Sequence, residues 1–100
     1  MNQSVIDALK EMRFSAMGLA VDIVAEWNQD LDESQENTKE NHWLQKNCYK
    51  YGFILRYPKG KEQITGFSYE SWHFRYVGVE AATEITQKKL ALEEYIEIVE

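Results

Sequence analysis

One hundred residues, 44% apolar and 28% charged, are enough for one modest core and too few for two, and the charged share argues against wholesale disorder. A net charge of -6 gives no electrostatic reason to seek nucleic acid or an anionic lipid surface. No stretch approaches the ~20 apolar residues of a membrane span, and a single cysteine, Cys48, excludes an internal disulfide.

The chain opens on an amphipathic segment. Ser4 to Met12 reads as a helix, with Val5, Ile6, Leu9 and Met12 on one face and Ser4 with Asp7 as a capping-box-like start. Met1 to Phe14 alternates charged and apolar residues and lacks the apolar core of a signal peptide. As written, the chain has no export signal, which predicts a cytoplasmic location. Gly18 to Val24 (GLAVDIV) predicts a buried strand rich in β-branched residues. Asp22 lies inside that run, where a carboxylate is costly unless paired or bound to a metal.

Glu26 to Asn41 is polar and acidic without periodicity, and reads as a loop or flap. Thr38 or Asn37 can cap the next helix, about Glu40 to Tyr51, whose apolar side is Trp43, Leu44, Cys48 and Tyr51. Cys48 in that pattern reads as a small buried side chain, and Gly52 suits the helix end. Phe53 to Tyr57 (FILRY) predicts a strand, Pro58 to Lys61 a turn, and Glu62 to Phe67 an antiparallel return. Trp72 to Val77 (WHFRYV) predicts another strand, with His73 and Arg75 on one face by the period of two. Gly78 ends it. Val79 to Lys89 and Leu92 to Val99 read as helices, and the lysines at 59, 61, 88 and 89 as solvated surface. Without repeats, low-complexity tracts or a linker, residues 1–100 are expected to form one α+β domain.

Three features carry chemistry: Asp22, the Glu70-x-x-His73 pair entering a strand, and Arg56 near a strand end. Asp and His are zinc ligands, and a nearby Glu can take a proton from metal-bound water. These residue types alone leave the plainer alternative open, because E-x-x-H arises by chance and Asp22 can pair with Arg56 or Arg75.

GLAVDI at 18–23, WLQKNCYKYGFILRYPKGKEQITG at 43–66 and YESWHFRYVG at 69–78 closely resemble the VanY-type carboxypeptidases. Those enzymes remove the terminal residue of peptidoglycan stem peptides, and relatives act on D-Ala-D-Ala or L-Lys-D-Ala bonds. The resemblance runs from Gly18 to the C-terminus. It divides the domain into a divergent helical start, 1–17, and a family-like core, 18–100. It implies the zinc DD-peptidase (Hedgehog/DD-peptidase-like) fold, a small antiparallel sheet with flanking helices.

In such enzymes zinc is held by His, Asp, His and a water, in the pattern S-x-H-x-x-G-x-A-x-D followed by E-P-W-H. Carried onto this sequence, Asp22 matches the second ligand, His73 the third, and Glu70 the general base. Trp72 matches the bulky residue between base and ligand and is expected beside the substrate. Ser71 stands where the family usually has Pro. Arg56 is expected to meet a substrate carboxylate or to pair with an acid. The implied mechanism has zinc lower the pKa of its water toward ~7 and polarise the scissile carbonyl, while Glu70 carries the proton to the leaving amine.

The match departs from the family at the first ligand. That ligand should lie seven residues before Asp22, at Ser15, and the surrounding RFSAM does not match S-E-H-Q-T. A serine hydroxyl does not ionise readily at neutral pH. Alternatively, Phe14 to Ala16 corresponds to a family segment just upstream, and a block containing the His is deleted before Met17. The chain has one other histidine besides His73, His42, at a helix start where the family places no ligand. The long family segment ahead of the first ligand, which forms much of the carboxylate pocket, is reduced to Met1 to Met17. Apolar surface left uncovered there predicts homodimerisation.

Zinc is therefore expected to bind weakly or not at all, with little or no turnover. Three functions remain: a peptidase acting on stem peptides ending in D-Ala, an inactive remnant binding peptidoglycan peptides or a protein, and a folded fragment without function.

Overall fold

The computed structural model describes residues 20–25 and 28–99. The expected helix at Ser4 to Met12, the position Ser15 and the first two residues of the expected strand at Gly18 lie outside them.

The architecture is α+β. Strands β1 (Ala20–Asp22), β2 (Phe53–Tyr57) and β3 (Glu70–Tyr76) form one antiparallel sheet in the order β1-β3-β2. β3 is central because it supplies alternating side chains for both faces. Val21 and Leu55 lie opposite Phe74, and Phe53 lies opposite Tyr76. Opposed residues of antiparallel strands point to the same side, so these five side chains make one apolar face.

Helix α1 (Lys39–Asn47) covers that face. Leu44 and Cys48, four apart, pack against Phe53 and Phe74, with Val21, Ile23, Trp43 and Tyr51 around them. Burying a side chain such as Phe74 contributes about 1.5–3 kcal/mol. Thr38 caps α1, its Oγ1 accepting from the Asn41 N–H at 3.0 Å. The chain continues as a 3-10 helix, Cys48–Tyr51, and stops at Gly52, whose φ is 91°. A side chain there is doubly excluded, because an added Cβ would lie 2.5 Å from Tyr76 Cε1.

Part of the opposite face is covered too. Ile54 packs against Ala82 and Ile85 of α3 (Val79–Lys88) and Leu92 of α4 (Leu92–Val99). The remaining part, where β1 meets β3, carries Asp22 and His73. Among the described residues no helix is long and apolar enough to cross a membrane.

Three sequence expectations are corrected. Glu62 to Phe67 is not a returning strand: Glu62–Thr65 forms a helical turn, α2, closed by Gly66 at φ 82°. β2 finds its antiparallel partner in β3 instead, whose aromatic run offers a buried face, whereas Ile64 and Phe67 remain exposed. The polar stretch before α1 is not a bare loop. Its residues Glu33–Asn37 form a 3-10 helix capped by Asp32, folded around a buried Gln35. That side chain donates to the carbonyls of Asn28 (2.6 Å) and Asp30 (2.8 Å) and accepts from the Ala25 N–H (3.3 Å). Finally, Asp22 is not buried: among the described residues β1 pairs with β3 alone, and the Asp22 side chain is 46% exposed.

Candidate active site

The β1–β3 register places Asp22 opposite His73. Both side chains leave the sheet on the side away from α1, and Asp22 Oδ1 comes to 3.2 Å from His73 Nδ1. The Trp72 carbonyl fixes this register by accepting the Ile23 N–H at 2.8 Å.

Glu70 joins them by a different device. Residues three apart on a regular strand point to opposite faces. Here, however, Leu55 pairs with Phe74 while Tyr57 pairs with Glu70, so two steps along β2 match four along β3. The excess residues form a bulge, which re-aims a side chain. Glu70 Oε1 thereby reaches 3.7 Å from His73 Nδ1. The inner face records the same irregularity, since Ser71 and Phe74, also three apart, are both buried.

Helix α1 holds the bulge from the other side of the sheet. The buried Asn41 donates its Nδ2 to the Ser71 carbonyl. Gln45 in turn donates Nε2 to Asn41 Oδ1 at 2.7 Å and to the Tyr69 hydroxyl at 2.9 Å. The Ser71 hydroxyl itself is buried with no partner among the described residues. Sequence reasoning missed Asn41 and Gln45. Their only signal was an amide one turn before Leu44 on the helix face that meets the core.

The imidazole of His73 also has a wall. Tyr57 lies 5.0 Å away between ring centroids, Phe67 stacks on Tyr57 at 4.6 Å, and the Arg56 guanidinium lies 4.9 Å from the Tyr57 ring. His73 is 23% exposed and Glu70 29%. The cluster is therefore one imidazole with two carboxylates near its Nδ1, all three partly exposed, with an aromatic side.

Other sequence candidates lie elsewhere. Arg56 makes a bidentate pair with Glu93 of α4, at 3.0 and 2.9 Å. This hydrogen bonding holds the Glu93 carboxyl below its ordinary range, against an opposing push from burial. Trp72 sits half-buried between Glu70 and His73 in the strand. His42 is exposed on α1 and lines a surface depression with Glu36, Gln45, Lys46 and Tyr69. Cys48 is buried in the core, where desolvation pushes its thiol up to about 12. Among the described residues no group of three His, Cys, Asp or Glu side chains is placed to hold a metal ion.

The sequence model of the VanY family, D-alanyl-D-alanine carboxypeptidase, matches residues 4–79. A D-alanyl-D-alanine carboxypeptidase of Enterococcus faecalis is 52% identical over 80 residues, which are 80% of this chain and 28% of that protein. Among solved structures, the LdcB LD-carboxypeptidase, described for its peptidoglycan recognition, is 53% identical with a TM-score of 0.76, over 80% of this chain and 38% of that one. The vancomycin-resistance D,D-pentapeptidase VanY, solved as a mutant in complex with Zn(II), is 49% identical with a TM-score of 0.66, over 80% of this chain and 42% of that one. The chain thus spans under a third of the curated relative and about two fifths of the solved ones. On the shared sheet and flanking helices, and on a family match covering three quarters of its length, the chain belongs to the VanY D-alanyl-D-alanine carboxypeptidase family.

Proposed function

We propose that this chain carries the Asp22, Glu70 and His73 part of a zinc carboxypeptidase centre. Its substrate is a peptidoglycan stem peptide, cut at the bond to a terminal D-Ala in a D-Ala-D-Ala or L,D-linkage. The observation that carries the reading is the meeting of these three side chains, drawn from two strands and a bulge, at the His73 imidazole.

Asp22 and His73 are assigned as zinc ligands. Their donor atoms are 3.2 Å apart, close to the ~3.3 Å that separates two ligands each ~2.0 Å from a tetrahedral ion. A catalytic zinc takes three protein ligands, and no third donor groups with this pair among the described residues. Among the described residues the donor set therefore falls short of a closed centre.

Glu70 is assigned as the base. Its Oε1 lies 3.7 Å from His73 Nδ1 on a partly exposed side chain, where it can accept a proton from an attacking water and return it to the leaving amine. Tyr57 limits water on one side of the imidazole. Trp72 is assigned to the substrate's flank on its position between Glu70 and His73. Asp22 and Glu70 make the surroundings of His73 acidic, so the substrate's own terminal carboxylate needs a cation; Arg56 serves only by exchanging Glu93 for it.

A second reading, a module that binds such peptides without cutting them, is favoured by the incomplete donor set. D-Ala release from a stem peptide, measured with and without added zinc, separates the two. The peptidase reading expects zinc-dependent release, lowered about 10²- to 10⁴-fold by Glu70→Gln. Peptide binding with no release under any zinc level sinks it in favour of the module.

A further inference from the structure

Two surface features away from the His73 cluster have complementary chemistry. The first is a cleft of about 240 Å³ beside β2, between α1 and α3. Its floor includes Leu55, Ile85 and Leu90, and lysines 59, 61 and 89 line it as well. In a chain of net charge -6, three lysines at one opening invert the local sign. Lys59 and Lys61 are paired with Glu36 and Glu94, at 3.2 and 2.9 Å. Among the described residues Lys89 has no ion-pair partner.

The second feature is the end of α4. Leu92, Tyr95, Ile96 and Val99 follow the spacing of one helical stripe. Leu92 and Tyr95 pack with Ile54, Ala82 and Ile85. Ile96 and Val99 carry the stripe on past that core, 41% and 58% exposed, and Ile98 beside them is 57% exposed. Glu97 stands among them, exposed and, among the described residues, also without an ion-pair partner. The last turn holds no basic residue, and the C-terminal end of a helix carries partial negative charge.

The cleft therefore suits apolar side chains flanked by acid, and the chain presents that chemistry at the end of α4. Within one copy the two do not meet, because Leu92 and Tyr95 hold α4 where its end is exposed. We infer that the end of α4 of one copy seats in the lysine-lined cleft of a second copy. Ile96 and Val99 meet the floor, and Glu97 pairs with Lys89. Cleft meets helix end rather than itself, so the contact is heterologous. A contact this small is weak and reversible.

Sedimentation equilibrium of the full chain from about 10 µM to about 1 mM tests it. The average mass rises with concentration above the 11.8 kDa of one chain. Lys89→Glu and Val99→Asp each weaken association about tenfold or more. Both positions are exposed, and thermal midpoints equal to the parent's show that the variants fold. Adding Glu97→Lys to Lys89→Glu restores association. An equal mixture of the Lys89→Glu and Val99→Asp chains forms pairs at concentrations where neither associates alone, since one keeps its helix end and the other its cleft. A parent monomeric throughout, association that survives both single changes, a double variant no better than Lys89→Glu, or a mixture that stays monomeric overturns the contact. D-Ala release is not among the readouts, so this contact and the peptidase reading stand or fall separately.

Discussion

Phe74 and His73 are adjacent in one strand and meet opposite fates. Phe74 is fully buried between β2, β1 and α1. His73 points the other way, partly open to solvent between two acids. The sealed face gives the sheet its stability and register. The open face inherits from that register a geometry it does little to maintain, since exposed ion pairs contribute about 0–1 kcal/mol. Stability and chemistry are thus divided between neighbours along the same few residues.

The contrast breaks if the two neighbours cost the same to remove. Phe74→Ala is expected to lose about 3–5 kcal/mol of unfolding free energy in urea, and His73→Ala under about 1 kcal/mol. Comparable losses would mean that the open face helps hold the fold. A smaller effect sharpens the link between the faces. Asn41→Ala leaves the buried Ser71 carbonyl without its side-chain donor, at a cost of about 1–3 kcal/mol. It also releases the bulge, so peptidase or peptide-binding activity should fall with stability although Asn41 lies on the sealed side. Unchanged activity would show that the bulge holds itself.

The smallest effect concerns acid. Arg56 keeps the Glu93 carboxyl below its ordinary value of 4.5. A depressed carboxyl contributes stability that is complete above its unfolded pKa and is lost as pH falls through the folded one. Unfolding midpoints taken from about pH 6 to about pH 3 should therefore drop more steeply in the parent than in Arg56→Gln. Parallel curves would remove the pair from the stability of the partly covered face.

The pieces of the fold that rest on local signals were legible. Thr38 as a cap, Gly52 as a stop, and the apolar sides of α1, α3 and α4 follow from residue type and spacing. What failed needed tertiary knowledge. Glu62 to Phe67 has the composition of a strand, but β3 competes for β2 with a better apolar face. Gln35 reads as surface until three backbone groups close around its amide. The alternation of side chains put His73 and Arg75 together, yet the same rule separates Glu70 from His73. Residue chemistry raised Asp22 and His73 together only as one alternative, and the family resemblance gave them matched roles. The exposure of Asp22 goes with β1 having one neighbour among the described residues, which no local pattern records.

The bulge also governs how this segment can change over time. The Ser71 side chain can be exchanged for another that suits its buried surroundings, because what this position contributes to the cluster is mainly length. Adding or removing a single residue between Glu70 and His73 is another matter. A one-residue change of length shifts the side-chain alternation and is expected to turn the carboxylate away from His73, so the spacing between the two matters more than the side chain at Ser71.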